Sequence, residues 1–314
     1  MNRRNNLLFQ SLSANSWKAY QTAWRSYAKV LLQLGVRVHL PLQESLLELY
    51  VTAVSQRLAH TTIRSYLSAI KYMHIMAGHS LEGLFQDRLR LICRGIRRQQ
   101  GNSKLRPRRL PISVDDLRDI QDWSGRNLPS YDAILLQAAV FLAFFGLLRV
   151  SEFTCPTTTS FDPNTHLGVY DVSFDHAVGL VRVHIKVSKS DPFRQGMTIR
   201  IARTGSHLCP FVSLVSFMRL RWRHGPGPLF VLSNGQFLTR DHIVYVLARV
   251  FPHIPAGRVG SHSFRIGGAS RLCALGVPDA TIQILGRWSS SAFKKYLHLS
   301  DQLVSELQSR MSRM

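Results

Sequence analysis

Ser261-His262-Ser263-Phe264-Arg265-Ile266-Gly267-Gly268 is the stretch on which the reading turns. Serines bracket the histidine just ahead of a helical pattern over about 262–275, which places His262 and Arg265 three residues apart at the start of a helix. Side chains at that separation share a face, so both can point at one target. The first turn of a helix also carries amide N–H groups with no intrahelical partner, a feature that suits an anion. Gly267 and Gly268 point to close helix packing rather than to a phosphate cradle. A histidine and an arginine at this spacing are a weak signal alone, so the neighbouring segments have to carry part of the argument.

Downstream, Leu285-Gly286-Arg287-Trp288 and then Ser289 to Tyr296 set Trp288 and Tyr296 eight residues apart, across a helix ended by glycine and a second one opened by serines. Tyr296 is the only tyrosine after Tyr245. Upstream, Phe144-Phe145-Gly146-Leu147-Leu148-Arg149-Val150-Ser151-Glu152 closes the most apolar predicted helix, 131–148, with a charge, and Glu152 is placed to orient it. A charge at such a buried end usually has an assignment.

Composition says what the target is. Forty Lys and Arg against 18 Asp and Glu leave a formal charge of +22, which implies a polyanionic partner. Residues 1–110 hold 18 basic and 4 acidic side chains of that total, so the front third is the more cationic part. The basic residues are spread through helical patterns instead of forming one juxtamembrane cluster, which favours nucleic acid over a membrane surface. Ala133 to Leu148 is too short and too close to Arg149 and Glu152 for a membrane span, and the N-terminus lacks the apolar run of a secretory signal. Cys93, Cys155, Cys209 and Cys273 fit neither a metal pattern nor a disulfide framework, so buried reduced thiols are expected. A nuclear protein is implied in a eukaryote and a cytoplasmic one otherwise.

The pattern along the chain predicts a mainly α fold with a small antiparallel sheet. Trp17, Tyr20, Trp24, Tyr27, Leu31 and Leu34 form a helical stripe, taken as core, and further helices are expected over about 43–57, 61–77 and 83–99. Residues 1–100 thus make an all-helical domain. Residues 101–112, with Gly, two prolines and four basic side chains, read as a linker. The remainder, 113–314, is a mixed domain: helices at 114–123 and 131–148, three short strands between about 167 and 201, then helices at about 211–222, 239–250, 262–275, 278–285 and 290–297, with a short amphipathic tail. The DNA-contacting candidates are Arg64, Lys71, Arg94, Arg97, Arg98, Lys104, Arg106, Arg108 and Arg109.

In this order (Leu-Leu-Arg-Val-Ser-Glu, a lysine in a turn between strands, His-Ser-Phe-Arg, Gly-Arg-Trp, then a tyrosine), the sequence resembles the tyrosine recombinases, the phage-integrase family. The motifs span 146–298, and the helical front domain is similar to the family's core-binding, SAM-like domain. Ser188-Lys189-Ser190-Asp191-Pro192-Phe193-Arg194 and Gly286-Arg287-Trp288 look most like the recombinases of DIRS-type and Crypton-type mobile elements and host genes derived from them. Two departures stand out: the family often has a histidine where Trp288 stands, and the spacing from Trp288 to Tyr296 is about one residue shorter than usual.

The resemblance implies cutting and rejoining of DNA through a 3′-phosphotyrosyl intermediate. Such chemistry must activate a phenol of pKa about 10, neutralise charge on the nonbridging oxygens and protonate the departing 5′ oxygen. Arg149 and Arg265 would clamp the phosphate. His262 would share the tyrosine proton or bond the phosphate, and Lys189, or its rival Lys186, would be the general acid. Trp288 would pack against the site, and Tyr296 would be the nucleophile. Neither metal nor cofactor is required. Double-stranded DNA is the expected partner, with assembly into a homotetramer on it. The alternatives are a host-adopted DNA-binding protein that keeps the fold without strand transfer, and a type IB topoisomerase.

Overall fold

The computed structural model describes the backbone of residues 3–104 and 107–296 and, within them, every side chain except those of 292, 295 and 296. Its contacts divide it into two units, Met1–Arg106 and Pro107–Met314.

The first unit contains helices α1 (Arg3–Gln10), α2 (Ala14–Gln33), α3 (Glu44–Ser55), α4 (His60–Met76) and α5 (Asp87–Gln100). The Ser13 hydroxyl accepts the amide of Ser16 and so starts α2 by satisfying one of its orphan donors. Tyr27 and Leu31 from the aromatic stripe join Leu47, Tyr50, Ile63 and Ile70 in the core. The rest of the stripe differs from expectation. Trp17 and Tyr20 are half-buried against Tyr72 of α4, and Leu34, standing at the C-cap, is exposed. Helix α1 is an addition to the expected set, and Trp17 Nε1 donates to its Phe9 carbonyl at 2.7 Å. Helix α5 begins at Asp87 rather than 83 because Gly83 and Phe85 take positive φ. The Glu44 carboxylate fixes that turn by accepting the amides of Phe85 and Gln86 at 2.6 and 3.0 Å.

The second unit runs α6 (Val114–Asn127), α7 (Ser130–Phe145), α8 (Val150–Phe153), β1 (Val172–Asp175), β2 (Leu180–Ile185), β3 (Met197–Ala202), α9 (Pro210–Arg221), α10 (Arg240–Val250), α11 (Ser263–Ala274) and α12 (Asp279–Gly286), and the last element among the described residues is a 3-10 stretch, Ser291–Tyr296. The strands form one antiparallel sheet in the order β1-β2-β3, with Val183 opposite Val172 on one side and Ile199 on the other. Alternate residues Val181, Val183 and Ile185 face a core shared with Phe141 of α7 and Phe211 of α9. The fold is mainly helical with a small antiparallel sheet.

Three expectations shift. The apolar helix stops at Phe145, not 148, because Leu147 adopts φ 47° and turns the chain, so that Arg149 becomes the N-cap of α8. Residues 107–112 are not free linker. The amides of Leu110 and Ile112 donate to the carbonyls of Arg258 and Ser263 at 2.7 and 3.0 Å, within the second unit. The last expected helix is a 3-10 turn, and the amphipathic tail lies outside the described residues. Gly267 and Gly268 show why α11 sits so close to its neighbours. A Cβ on Gly267 would strike the Ile112 backbone, and one on Gly268 the Phe144 carbonyl of α7.

Among the described residues no helix is long and apolar enough to cross a membrane. All four cysteines are free; Cys155 and Cys209 are buried, whereas Cys93 and Cys273 are only half-buried.

Candidate active site

The site is built on the C-terminus of α7. A helix ends with carbonyls that have no intrahelical donor, and here those of Gly146 and Leu147 are buried. Arginines from distant segments supply the donors. Arg265, from the first turn of α11 and 1% exposed, donates to the carbonyls of Leu147 and Gly286. Arg287, at the C-cap of α12 with φ 58°, donates to Gly146 and Leu147 at 3.1 and 3.0 Å.

Arg149 leaves the same turn. Its Nη1 donates to Glu152 Oε1 at 2.8 Å and to Ser188 Oγ at 2.7 Å, and its amide donates to Glu152 Oε2 at 2.9 Å. Glu152 also accepts the Ser188 hydroxyl and Arg287 Nη2, each at 2.8 Å. Burial by itself would raise this carboxyl's pKa, but the guanidiniums of Arg287 and Arg149 and the Arg149 amide bring it below the ordinary carboxylate value. Glu152 is therefore an anion that orients Arg149, whose side chain stays 18% exposed while Glu152's is 1% exposed.

His262 precedes α11 and is half-buried. Burial, reinforced by the positive charges of Arg265, Arg109 and Arg149, lowers its pKa to about 4. Three arginines from separated segments thus lie close enough to His262 for their charges to act on it. The imidazole is neutral at pH 7 and able to take a proton. Arg109 is one of these arginines because its guanidinium lies over the Gly260 backbone, where a Cβ would collide with it.

Trp288 lies against Arg265, whose guanidinium carbon sits 4.2 Å from the ring centroid, and packs on Phe293 at 5.3 Å. Its ring covers Gly286, which leaves no room there for a Cβ. Lys189 is exposed in the turn between β2 and β3 and has no ion pair among the described residues. Lys186 pairs with Asp171 at 2.5 Å and donates to the His166 carbonyl at 3.2 Å, so its ammonium is committed elsewhere. A cavity of about 240 Å³ beside this turn is lined by Ser188, Ser190, Asp191, Arg287 and Trp288 among others.

Of Tyr296 only the backbone is described; it ends the 3-10 stretch. That stretch is anchored by Phe293, fully buried with Leu147, Ala269 and Ile282. The backbone bearing the tyrosine is thus fixed three residues away against the turn that carries Arg149.

In the first unit, Arg64, Lys71, Arg94 and Arg97 line a groove of about 570 Å³ between α4 and α5, together with His60 and Phe85. Arg98 is exposed on α5, outside that lining. Lys104 departs from expectation: its ammonium donates to the carbonyls of Ser55, at 2.9 Å, and Gln56, closing the C-terminus of α3 instead of facing solvent. Arg106 lies outside the described residues, and Arg108 is exposed. No group of three His, Cys, Asp or Glu among the described residues is placed to hold a metal.

Arg287 and Ser188 are the participants that residue-by-residue reading missed. The available signal was an arginine directly after a helix-ending glycine and beside the tryptophan.

This architecture recurs in solved structures. The site-specific recombinase XerH, bound to its palindromic difH substrate after cleavage, matches with a TM-score of 0.60 at 13% identity, covering 95% of this chain and 80% of that one. The Tn1549 transposon integrase bound to transposon right-end DNA matches with a TM-score of 0.60 at 12% identity, covering 96% and 95%. The fold is that of the tyrosine recombinases. A lambda integrase dimer bound to a core site matches this tyrosine-recombinase fold with a TM-score of 0.56 at 14% identity, covering 94% of this chain and 75% of that one. No family model and no curated protein matches the sequence.

Proposed function

We propose that the chain is a site-specific DNA strand transferase. The observation that carries this reading is the convergence of Arg149, His262 and Arg265 at the C-terminus of α7, beside the anchored segment that ends in Tyr296. Guanidiniums held by carbonyls and a carboxylate are organised before any substrate arrives, which is what stabilisation of developing phosphate charge requires.

In the forward step the Tyr296 hydroxyl oxygen attacks the phosphorus, the bond from phosphorus to the 5′ oxygen breaks, and a 3′-phosphotyrosyl ester forms. His262, neutral at pH 7, takes the phenolic proton. Lys189, exposed and uncommitted to an ion pair among the described residues, gives a proton to the leaving oxygen. Rejoining reverses these transfers, and the ester conserves the bond energy, so no nucleotide hydrolysis is needed. The basic groove of the first unit contributes phosphate contacts and the bulk of the affinity. We further assign the chain to the DIRS-like and Crypton-like recombinases on its Gly-Arg-Trp and Ser-Lys-Ser-Asp-Pro motifs, acting as a tetramer on paired DNA sites in the nucleus of a eukaryotic host.

The test is incubation with nicked duplexes that trap the covalent intermediate, followed by a denaturing gel. A protein–DNA adduct is expected, and it is lost in Tyr296→Phe and in Arg265→Ala. Binding without adduct on any substrate refutes strand transfer and leaves a DNA-binding protein. Relaxation of supercoils by a monomer, without paired sites, makes it a topoisomerase.

A further inference from the structure

The buried carboxylate of Glu152 poses an electrostatic problem. It lies against Arg149 at 2.8 Å, and were that the only pairing, the anion would cancel the guanidinium charge meant for the phosphate. Arg287 changes the balance. Its Nη2 reaches the other carboxylate oxygen at 2.8 Å, with the two side chains 4% and 1% exposed, and it shares the Leu147 carbonyl with Arg265. At this turn the three guanidinium charges of Arg149, Arg265 and Arg287 therefore stand against one carboxylate and keep two positive charges, to which Arg109 adds its own beside His262. A phosphodiester bears one negative charge, and the five-coordinate state reached when the tyrosine oxygen adds bears two. The excess matches the transition state better than the ground state, which is the condition for acceleration.

The backbone records the same commitment. Arg287 takes φ 58°, a conformation that favours glycine, at the C-cap of α12. A strained position is filled by a long, buried, charged side chain whose guanidinium is spent on Glu152 and the two carbonyls, of Gly146 and Leu147, that follow α7.

We propose that Arg287 is a positioning residue for strand transfer: it neutralises Glu152 and thereby leaves the charge of Arg149 to the scissile phosphate. The inference rests on the strand-transfer reading. It is tested by the single-turnover rate of adduct formation on nicked duplex, measured beside DNA affinity and thermal unfolding, for the wild type, Arg287→Gln, Arg287→Lys, Glu152→Gln and the double variant Glu152→Gln/Arg287→Gln. Arg287→Gln removes one of those positive charges and should slow adduct formation on the order of a hundredfold, comparable to losing one preorganised donor, while DNA affinity stays within about threefold because the Arg287 side chain is only 4% exposed and its guanidinium is bonded to Glu152 and two carbonyls. Arg287→Lys, which keeps the charge, should retain most of the rate. The double variant restores the excess of two and should recover at least tenfold over Arg287→Gln, whereas a purely structural role gives no recovery when a second buried group is altered. An adduct rate in Arg287→Gln equal to wild type, or a double variant no faster than Arg287→Gln, overturns the inference while strand transfer stands. If Arg287→Gln does not fold, the lysine and double variants decide it by the same comparison with wild type. Absence of adduct from the wild type itself overturns strand transfer, and this inference with it.

Discussion

Protonation of His262 should cost the fold stability as the pH falls, and the amount follows from its surroundings. In the unfolded chain the imidazole has its ordinary value near 6.5; in the folded chain burial and the charges of Arg265, Arg109 and Arg149 lower it to about 4. The folded state therefore holds fewer protons than the unfolded one between those values. The sign is fixed: the contribution is fully present above pH 6.5, is lost progressively as the pH falls from there, and is gone once the pH has passed below 4. A gap of this size corresponds to about 3 kcal/mol in full, of which about 2 falls between pH 7 and pH 5. The ring is only half-buried, and solvent screening reduces the expected loss to about 1–1.5 kcal/mol. Urea unfolding of wild type and His262→Gln, each at pH 7 and pH 5, isolates the effect, because the other titrating groups are common to both proteins. Wild type should lose about 1–1.5 kcal/mol more than the variant, or about 4 °C in a thermal scan. Equal losses in the two proteins refute the reasoning, since they mean that His262 is not held neutral by its neighbours. Addition of a duplex should shrink the difference, as a bound phosphate favours the imidazolium.

Other consequences are as direct. Gly267→Ala drives a Cβ into the Ile112 backbone and should destabilise by about 2 kcal/mol or more, read from the urea midpoint; an unchanged midpoint removes the packing argument. Arg94→Ala combined with Arg97→Ala should lower the slope of log affinity against log salt by about 2 in a titration with labelled duplex. Lys104→Met, by contrast, should leave that slope unchanged and lower thermal stability, because its ammonium closes α3; a slope change of about 1 would return it to the DNA-contacting set. Lys189→Met should abolish cleavage of ordinary nicked duplex yet cleave a substrate whose leaving 5′ oxygen is replaced by sulfur. A thiolate, of pKa about 8.5, leaves without an acid; failure on the sulfur substrate places Lys189 outside the proton transfer.

Much of this architecture could be read from the sequence, for identifiable reasons. The period-two alternation of Val181, Val183 and Ile185 and the helical repeat that includes Tyr27 and Leu31 are local signals, and the elements they predict are present. The apolar run from Ala133 to Leu148 hid the end of α7, because hydrophobicity continues through a turn whose cause is the positive φ of Leu147. That Arg149, His262 and Arg265 come near one another was legible because their motifs follow the order of a family pattern. The commitment of Lys186 was not, since it depends on Asp171, an anion fifteen positions away in sequence that reaches Lys186 through the fold. Arg287 escaped for a similar reason: its partners, Gly146, Leu147 and Glu152, lie more than 130 positions upstream. Lys104 looked like one more cation in a basic run, and only the carbonyls of α3 show otherwise.

The arginines that grip the end of α7 serve two masters. A descendant released from cutting DNA would still need Arg265 and Arg287 to keep those carbonyls bonded, so their persistence over generations testifies to folding rather than to enzymatic competence. Lys189, out in solvent on its turn, makes no ion pair among the described residues, and under the strand-transfer proposal its drift would be the earliest mark of a retired copy.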